Sequence, residues 1–152
     1  MRVLQVNLHH SRAASAALSV TMRDCDVAFI QEPWTYKGEI EGLKEVGGEL
    51  IYSRFIPYPR TCTLKKGFWI LPLMHQCSRD LTVVKIKTSS GWGPREIILG
   101  SAYLPYDVEP PPPGELERLV TGCRANGTHL IVGCDANSHH TSRGSTEHQQ
   151  QR

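Results

Sequence analysis

A mixed α/β fold is predicted by three features of this sequence. Short apolar runs bounded by turn residues recur along the chain, at Arg2–Asn7, Asp26–Gln31, Leu81–Lys87, Glu96–Tyr103 and His129–Cys134, as in strands of a sheet. Two other segments, Ser11–Met22 and Gly114–Arg124, repeat apolar residues at helical spacing. The helices are interleaved with strands, yet several strands follow one another directly. The class is therefore a mixed β-sheet with flanking helices.

Each element has a local reason. In Arg2–Asn7, Val3, Leu4 and Val6 are apolar and Asn7 closes the run. Ser11 is placed to cap a helix whose Ala14, Ala17, Leu18 and Met22 share one face. Asp26–Gln31 (DVAFIQ) is nearly all apolar, as in a buried strand, and Glu32-Pro33 follows it; proline cannot continue the ladder. Residues 38–48 are rich in Gly and Glu and read as loop with a short helical turn, and Glu49–Ser53 as a strand. Ile56-Pro57-Tyr58-Pro59 is a turn; Thr61–Leu64 and Gly67–Leu71 are short strands. In Leu81–Lys87, Lys85 and Lys87 share a face with Val83, which predicts a half-exposed face. Pro110–Pro113 opens the second helix, Leu116, Leu119, Val120 and Cys123 form its apolar stripe, and Asn126-Gly127 stops it. His129–Cys134 (HLIVGC) reads as a buried strand with Asp135 at its end. From Ser138 onward no aliphatic residue occurs, so the domain is expected over 1–137 and a loop or disordered tail over 138–152.

Composition sets the wider limits. With 152 residues, 39% hydrophobic and 21% charged, the chain has enough apolar material for one core. No run approaches the ~18 apolar residues of a membrane span, and Met1–Leu8 alternates like a strand rather than a secretory signal. An intracellular protein, nuclear or cytoplasmic and away from membranes, is expected. The net charge of +2 neither marks a dedicated nucleic-acid-binding module nor excludes a nucleic-acid substrate. The cysteines number five and form no CxxC pair, which favours reduced structural thiols over a disulfide framework or zinc knuckle.

Asn7, Glu32, Tyr103 and Asp135 each stand at or just past the end of a predicted strand. In α/β folds such ends gather at one edge of the sheet, where ligands bind. Two carboxylates and an amide suit a hard divalent cation, and Mg²⁺ is commonly held by only one or two carboxylates plus water. Taken singly, each of these residues is as well explained by a turn, a cap or a rim aromatic.

Their local sequences are more specific. Gln5–Ser11 (QVNLHHS), Gln31–Trp34 (QEPW), Ser101–Pro105 (SAYLP) and Gly133–His140 (GCDANSHH) occur in the order and spacing of one family. They resemble the endonuclease/exonuclease/phosphatase superfamily, and more closely the apurinic-endonuclease-like domain of insect non-LTR retrotransposons. The resemblance runs from Arg2 to about Thr146, less specifically through Arg60-Thr61-Cys62 and Arg143–Thr146. It implies an α/β sandwich and a phosphodiesterase that uses Mg²⁺, or Mn²⁺ in its place, to nick DNA, with a reverse transcriptase on the same chain as partner. It further implies that Glu32 binds the metal and Asn7 helps hold the metal or its water. Tyr103 would approach the scissile phosphate, Asp135 would orient or activate the attacking water, and Asn137 would hydrogen-bond a phosphate oxygen in the transition state.

The family's domain carries further strands and a Ser-Asp-His-like element, which 138–152 does not supply. The resemblance therefore implies an incomplete sandwich with impaired activity; the alternatives are a non-catalytic remnant acting at most as an interaction domain, or a phosphatase for small phosphoesters. One inner sheet face is expected to be open: roughly 500 Å² of exposed apolar surface would cost about 12 kcal/mol. His9, His10, His139 and His140 read as loop or tail residues ahead of metal ligands, and Trp34 as a rim aromatic ahead of a base stacker. Arg54, Arg60, Lys65 and Lys66 read as solvated charge ahead of phosphate contacts, and Pro110–Pro113 as a rigid loop ahead of a groove ligand.

Overall fold

The computed structural model of the chain describes residues 1–90, 93–105 and 114–136. The proline run, Asn137 and the segment 138–152 lie outside the described residues. In chain order the elements are β1 (Val3–Asn7), α1 (Arg12–Thr21), β2 (Val27–Gln31), β3 (Thr35–Tyr36), β4 (Glu39–Ile40), β5 (Glu49–Ile51), β6 (Thr61–Lys65), β7 (Ile70–Pro72), β8 (Leu81–Ser90), β9 (Gly93–Tyr103), α2 (Gly114–Ala125) and β10 (His129–Asp135). Short 3-10 turns occupy Met22–Asp24, Lys44–Val46 and Met74–Gln76.

The strands form two four-stranded sheets, β1-β2-β6-β5 and β10-β9-β8-β7, and a small ribbon, β3-β4. In each large sheet one edge strand runs parallel to its neighbour, β1 to β2 and β10 to β9, while the remaining pairs are antiparallel. This mixture confirms the expected class.

Strand parity assigns the faces. Val27 and Phe29 of β2 pack with Ile51, Ile70, Val84, Ile86 and Leu99, a core drawn from both sheets, so the sheets lie face to face. The opposite face of the first sheet carries Leu4, Val6, Ala28, Ile30, Cys62 and Leu64, covered by Leu18 and Met22 of the α1 segment. The outer face of the second sheet carries Val83, Ile98 and Ala102, covered by Leu119 and Cys123 of α2. Burial pushes the Cys62 thiol well above its ordinary range, so it behaves as a small core hydrophobe. All five cysteines are free, as the sequence suggests. No helix among the described residues is long and apolar enough to cross a membrane.

Several expectations need correcting. The buried stripe of α1 is Ser15 and Leu18, while Ala17 faces solvent. Ser15 can be buried because its hydroxyl donates to the Ser11 carbonyl at 3.0 Å. In α2, Val120 is exposed, because Leu119 and Cys123 alone turn fully toward the sheet. The segment 38–48 contains the strand β4 in addition to its helical turn. The β8 face shared by Val83, Lys85 and Lys87 is half exposed as expected, with Val83 fully buried under α2 and Lys87 61% exposed. The strand β10 is not buried: it is the edge of its sheet, and Ile131 is 44% exposed. Its continuous apolar run reflects partial cover, Leu130 and Val132 against α2 outside and Gly133 against Phe29 inside, rather than a neighbour on each edge. The open inner face is likewise confined to one flank, where β1 and β10 are the adjacent edges and Val3 is 40% exposed; elsewhere the two sheets cover each other.

The cap of α1 is where the sequence expectation is met most directly. The Ser11 hydroxyl accepts the Ala14 N–H at 3.2 Å, satisfying one of the first-turn donors. Ser11→Ala should lower stability by about 1 kcal/mol in denaturant unfolding; no loss would mean that water replaces the cap at no cost.

Candidate active site

Four strand ends build the site. β1 is parallel to β2 and β10 to β9, and the Asn7–Asp135 and Gln31–Gly133 hydrogen bonds between the sheets put the C-terminal ends of all four at the same rim. Registers then place Asn7 opposite Gln31 and Asp135 opposite Tyr103. All four residues have the parity of the inner face, so their side chains converge between the sheets at that rim.

Gln31 joins the two sheets. It is fully buried; its amide donates to the Ser101 hydroxyl at 3.0 Å and to the Gly133 carbonyl at 3.2 Å, and its oxygen accepts from Gln5 at 2.9 Å. Ser101 in turn donates to the Ile30 carbonyl at 3.2 Å. A polar residue closing an otherwise apolar strand was the available signal for this bridge, and sequence reasoning did not use it. Gly133 allows the close approach. A Cβ there would stand 2.4 Å from Phe29 Cδ2 and 2.9 Å from Phe29 Cβ.

Glu32 follows Gln31 with φ +48°, in the left-handed region that a side chain occupies only under constraint. Three backbone hydrogen bonds supply the constraint. Leu8 N–H donates to the Gln31 carbonyl at 2.9 Å, His10 N–H to the Glu32 carbonyl at 2.8 Å, and Glu32 N–H to the Arg60 carbonyl at 2.8 Å. The turn swings the Glu32 carboxylate, 16% exposed, beneath two imidazoles: His9 Nδ1 is 3.4 Å from Oε2 and His10 Nε2 3.7 Å from Oε1. The histidine pair is solvated loop, as expected, with side chains 81% and 54% exposed, and it stands beside Glu32.

Asn7 and Asp135 touch. The Asn7 amide Nδ2 donates to Asp135 Oδ2, and its Oδ1 accepts the His9 N–H at 2.7 Å. Leu104 N–H donates to the Asp135 carbonyl at 2.9 Å, which fixes the end of β10 against the end of β9. Tyr103, 7% exposed, lies under the Arg60 guanidinium, whose carbon is 4.6 Å from the ring centroid. Arg60 also forms a bidentate ion pair with Asp80, whose carbonyl accepts the Tyr103 N–H at 2.9 Å. No periodicity links positions 60 and 80, so only the fold discloses this pair.

Asn7, Glu32, Tyr103 and Asp135 thus share one rim; Asn137, two residues beyond Asp135, lies outside the described residues. Trp34 is a rim aromatic, with the Arg12 guanidinium 5.4 Å from its ring centroid. Lys65 pairs with Glu49 and Lys66 donates to the Met22 carbonyl, both at the opposite end of β2, so neither lies at the site. Among the described residues no group of three or more His, Cys, Asp or Glu side chains is arranged to hold a metal ion.

Two face-to-face sheets flanked by helices make this the α/β fold of the endonuclease/exonuclease/phosphatase type. The chain is similar to the solved endonuclease domain of TRAS1, a telomere-specific non-LTR retrotransposon: TM-score 0.61 and 26% sequence identity over 92% of this chain and 60% of that one. This likeness is to the same group of domains that the sequence motifs resemble. The chain spans about 60% of the length of that neighbour. No family model matches the chain, and no curated protein matches it.

Proposed function

We propose that this chain is a metal-dependent phosphodiesterase domain that nicks DNA. The observation carrying this reading is the Asn7–Asp135 hydrogen bond at the rim that also holds Glu32, in a fold shared with a retrotransposon endonuclease domain. The donor chemistry fits Mg²⁺. Glu32 and Asn7 offer oxygen atoms, and Mg²⁺ needs only one or two protein carboxylates because it keeps several waters. When bound there, Mg²⁺ or Mn²⁺ would offset the charge that grows on the phosphate and leaving oxygens.

The protein's own groups do the rest. Asn7 binds Asp135 through its amide N–H and so keeps the carboxylate oriented. Asp135 then takes a proton from the attacking water. Tyr103, its ring held by Arg60, faces the scissile phosphate, and Asn137 donates to a phosphate oxygen as charge accumulates. His9 and His10 screen the Glu32 carboxylate from the bulk on the solvent side. In this reading the product is a nick whose 3′ hydroxyl would prime a reverse transcriptase carried on the same chain.

The test is conversion of supercoiled plasmid to open circle by the purified chain with Mg²⁺, beside Glu32→Ala. The wild type should nick, chelation should stop it, and the variant should be inactive. Equal background in both would overturn the reading in favour of an interaction domain without catalysis.

A further inference from the structure

A second feature of the same rim bears on what kind of DNA is recognised. A run of backbone and side-chain hydrogen bonds leads away from Glu32. Glu32 N–H donates to the Arg60 carbonyl, Arg60 N–H to the Arg79 carbonyl at 2.7 Å, Arg79 Nε to the Tyr58 carbonyl at 3.1 Å, and Tyr58 N–H to the Gly38 carbonyl at 3.1 Å. Three loops are thereby fastened side by side, those after β2, before β6 and before β8.

These loops present aromatic rings to solvent. Tyr36 is 58% exposed and Tyr58 56% exposed. Tyr58 is two residues from Arg60, so their Cα atoms lie within about 7 Å, and Tyr36 is as close to Gly38. The rings, Tyr36 at the end of β3 and Tyr58 in the loop before β6, stand on neighbouring segments joined by the Tyr58 N–H to Gly38 carbonyl bond. Lys37 (φ +50°) and Gly38 (φ +87°) form the two-residue turn of the β3-β4 ribbon, which needs positive φ at both positions, and Tyr58 has φ +55°. Cations stand with the rings. Lys37 Nζ is 5.4 Å from the Tyr36 ring centroid, and Arg79 is exposed next to Tyr58. The nearby acids are engaged, Glu39 by the Tyr52 hydroxyl at 2.6 Å and Asp80 by Arg60.

We propose that Tyr36 and Tyr58, with Lys37 and Arg79, form a stacking platform for unpaired bases of a DNA strand next to the scissile phosphate. This rests on the nuclease reading above and narrows it to substrates with locally open or distorted strands. An exposed ring gains from a base only through the base's flat face, and in an intact duplex those faces are already covered by neighbouring pairs. Rings interleaved with cations suit a single strand, whose bases stack while its phosphates meet Lys37 and Arg79. The modest charge of the patch favours the same partner over a long duplex, which is bound chiefly through many phosphate contacts.

The test is fluorescence anisotropy with the full chain, chelator present so that no cutting occurs, using a labelled oligothymidylate and a duplex of equal length. The wild type should bind the single strand more tightly. Tyr36→Ala and Tyr58→Ala should each weaken that binding roughly tenfold, while Tyr36→Phe and Tyr58→Phe, which keep the ring, should restore it. Lys37→Ala should reduce the salt slope of log Kd by about 0.7. All these side chains are exposed, so the variants should keep the wild-type melting curve. Alanine variants that bind like wild type, or a preference for duplex, would overturn the platform. Plasmid nicking separates the two readings. A wild type that nicks while the alanine variants bind single strands unchanged loses only the platform. Ring-dependent binding without any nicking loses only the nuclease.

Discussion

Replacing Asp135 by asparagine should slow DNA nicking by about 10²- to 10⁴-fold, the range that a positioned proton acceptor contributes. The substitution is close to isosteric. An asparagine at 135 keeps an oxygen able to accept from the Asn7 amide, so the contact between β1 and β10 survives while the basicity is lost. Binding of DNA in chelator should persist or tighten, because a negative charge near the phosphates has gone. Single-turnover nicking at saturating Mg²⁺, compared with affinity from anisotropy, reads the two effects separately. A rate within about tenfold of wild type would remove Asp135 from the chemistry and leave it a role in holding Asn7 alone.

Gly133 and Phe29 make the second prediction, because they are in contact across the two sheets. Phe29→Ala should cost about 3–5 kcal/mol, since Phe29 is fully buried in the core between the sheets. Gly133→Ala should cost about 1–3 kcal/mol by overpacking, because the new methyl would meet the Phe29 ring and push β10 outward. Asp135 lies two residues further along that strand, so nicking should fall more than stability alone accounts for. The two changes are not independent. Removing the ring opens the space that the methyl needs, so the double variant should be more stable than the sum of the singles predicts by about 1 kcal/mol or more. Strict additivity in urea unfolding would show that β10 does not sit against Phe29 in solution.

The site was legible in proportion to how local its signals are. Asn7, Glu32, Tyr103 and Asp135 were visible as rim residues because an apolar run ending in a polar residue is a strand reaching a rim, and the surrounding motifs pointed to the same four. The Ser11 cap and the face of Leu18 and Met22 depend only on neighbours within one or two turns. What escaped were pairings between distant positions: Arg60 with Asp80, Gln31 with Ser101 and Gly133, and the histidine pair folded back over Glu32. The run HLIVGC read as a buried strand because periodicity reports apolar faces and says nothing of edges. Neighbours within a sheet are set by backbone hydrogen bonds, which leave no trace in side-chain hydropathy.

By itself, then, the sequence determined the longer strands and both helices and which residues stand at their ends, but not the short β3-β4 ribbon, since burial of apolar side chains at fixed periods is a local property. Only the tertiary structure decided that two sheets close over one another, that β1 and β10 form one open flank, and that Glu32 turns through a left-handed conformation beneath His9 and His10. Those outcomes depend on contacts between residues far apart in the chain, such as Phe29 against Gly133 and Asn7 against Asp135. Their free energy exists only once the sheets have come together.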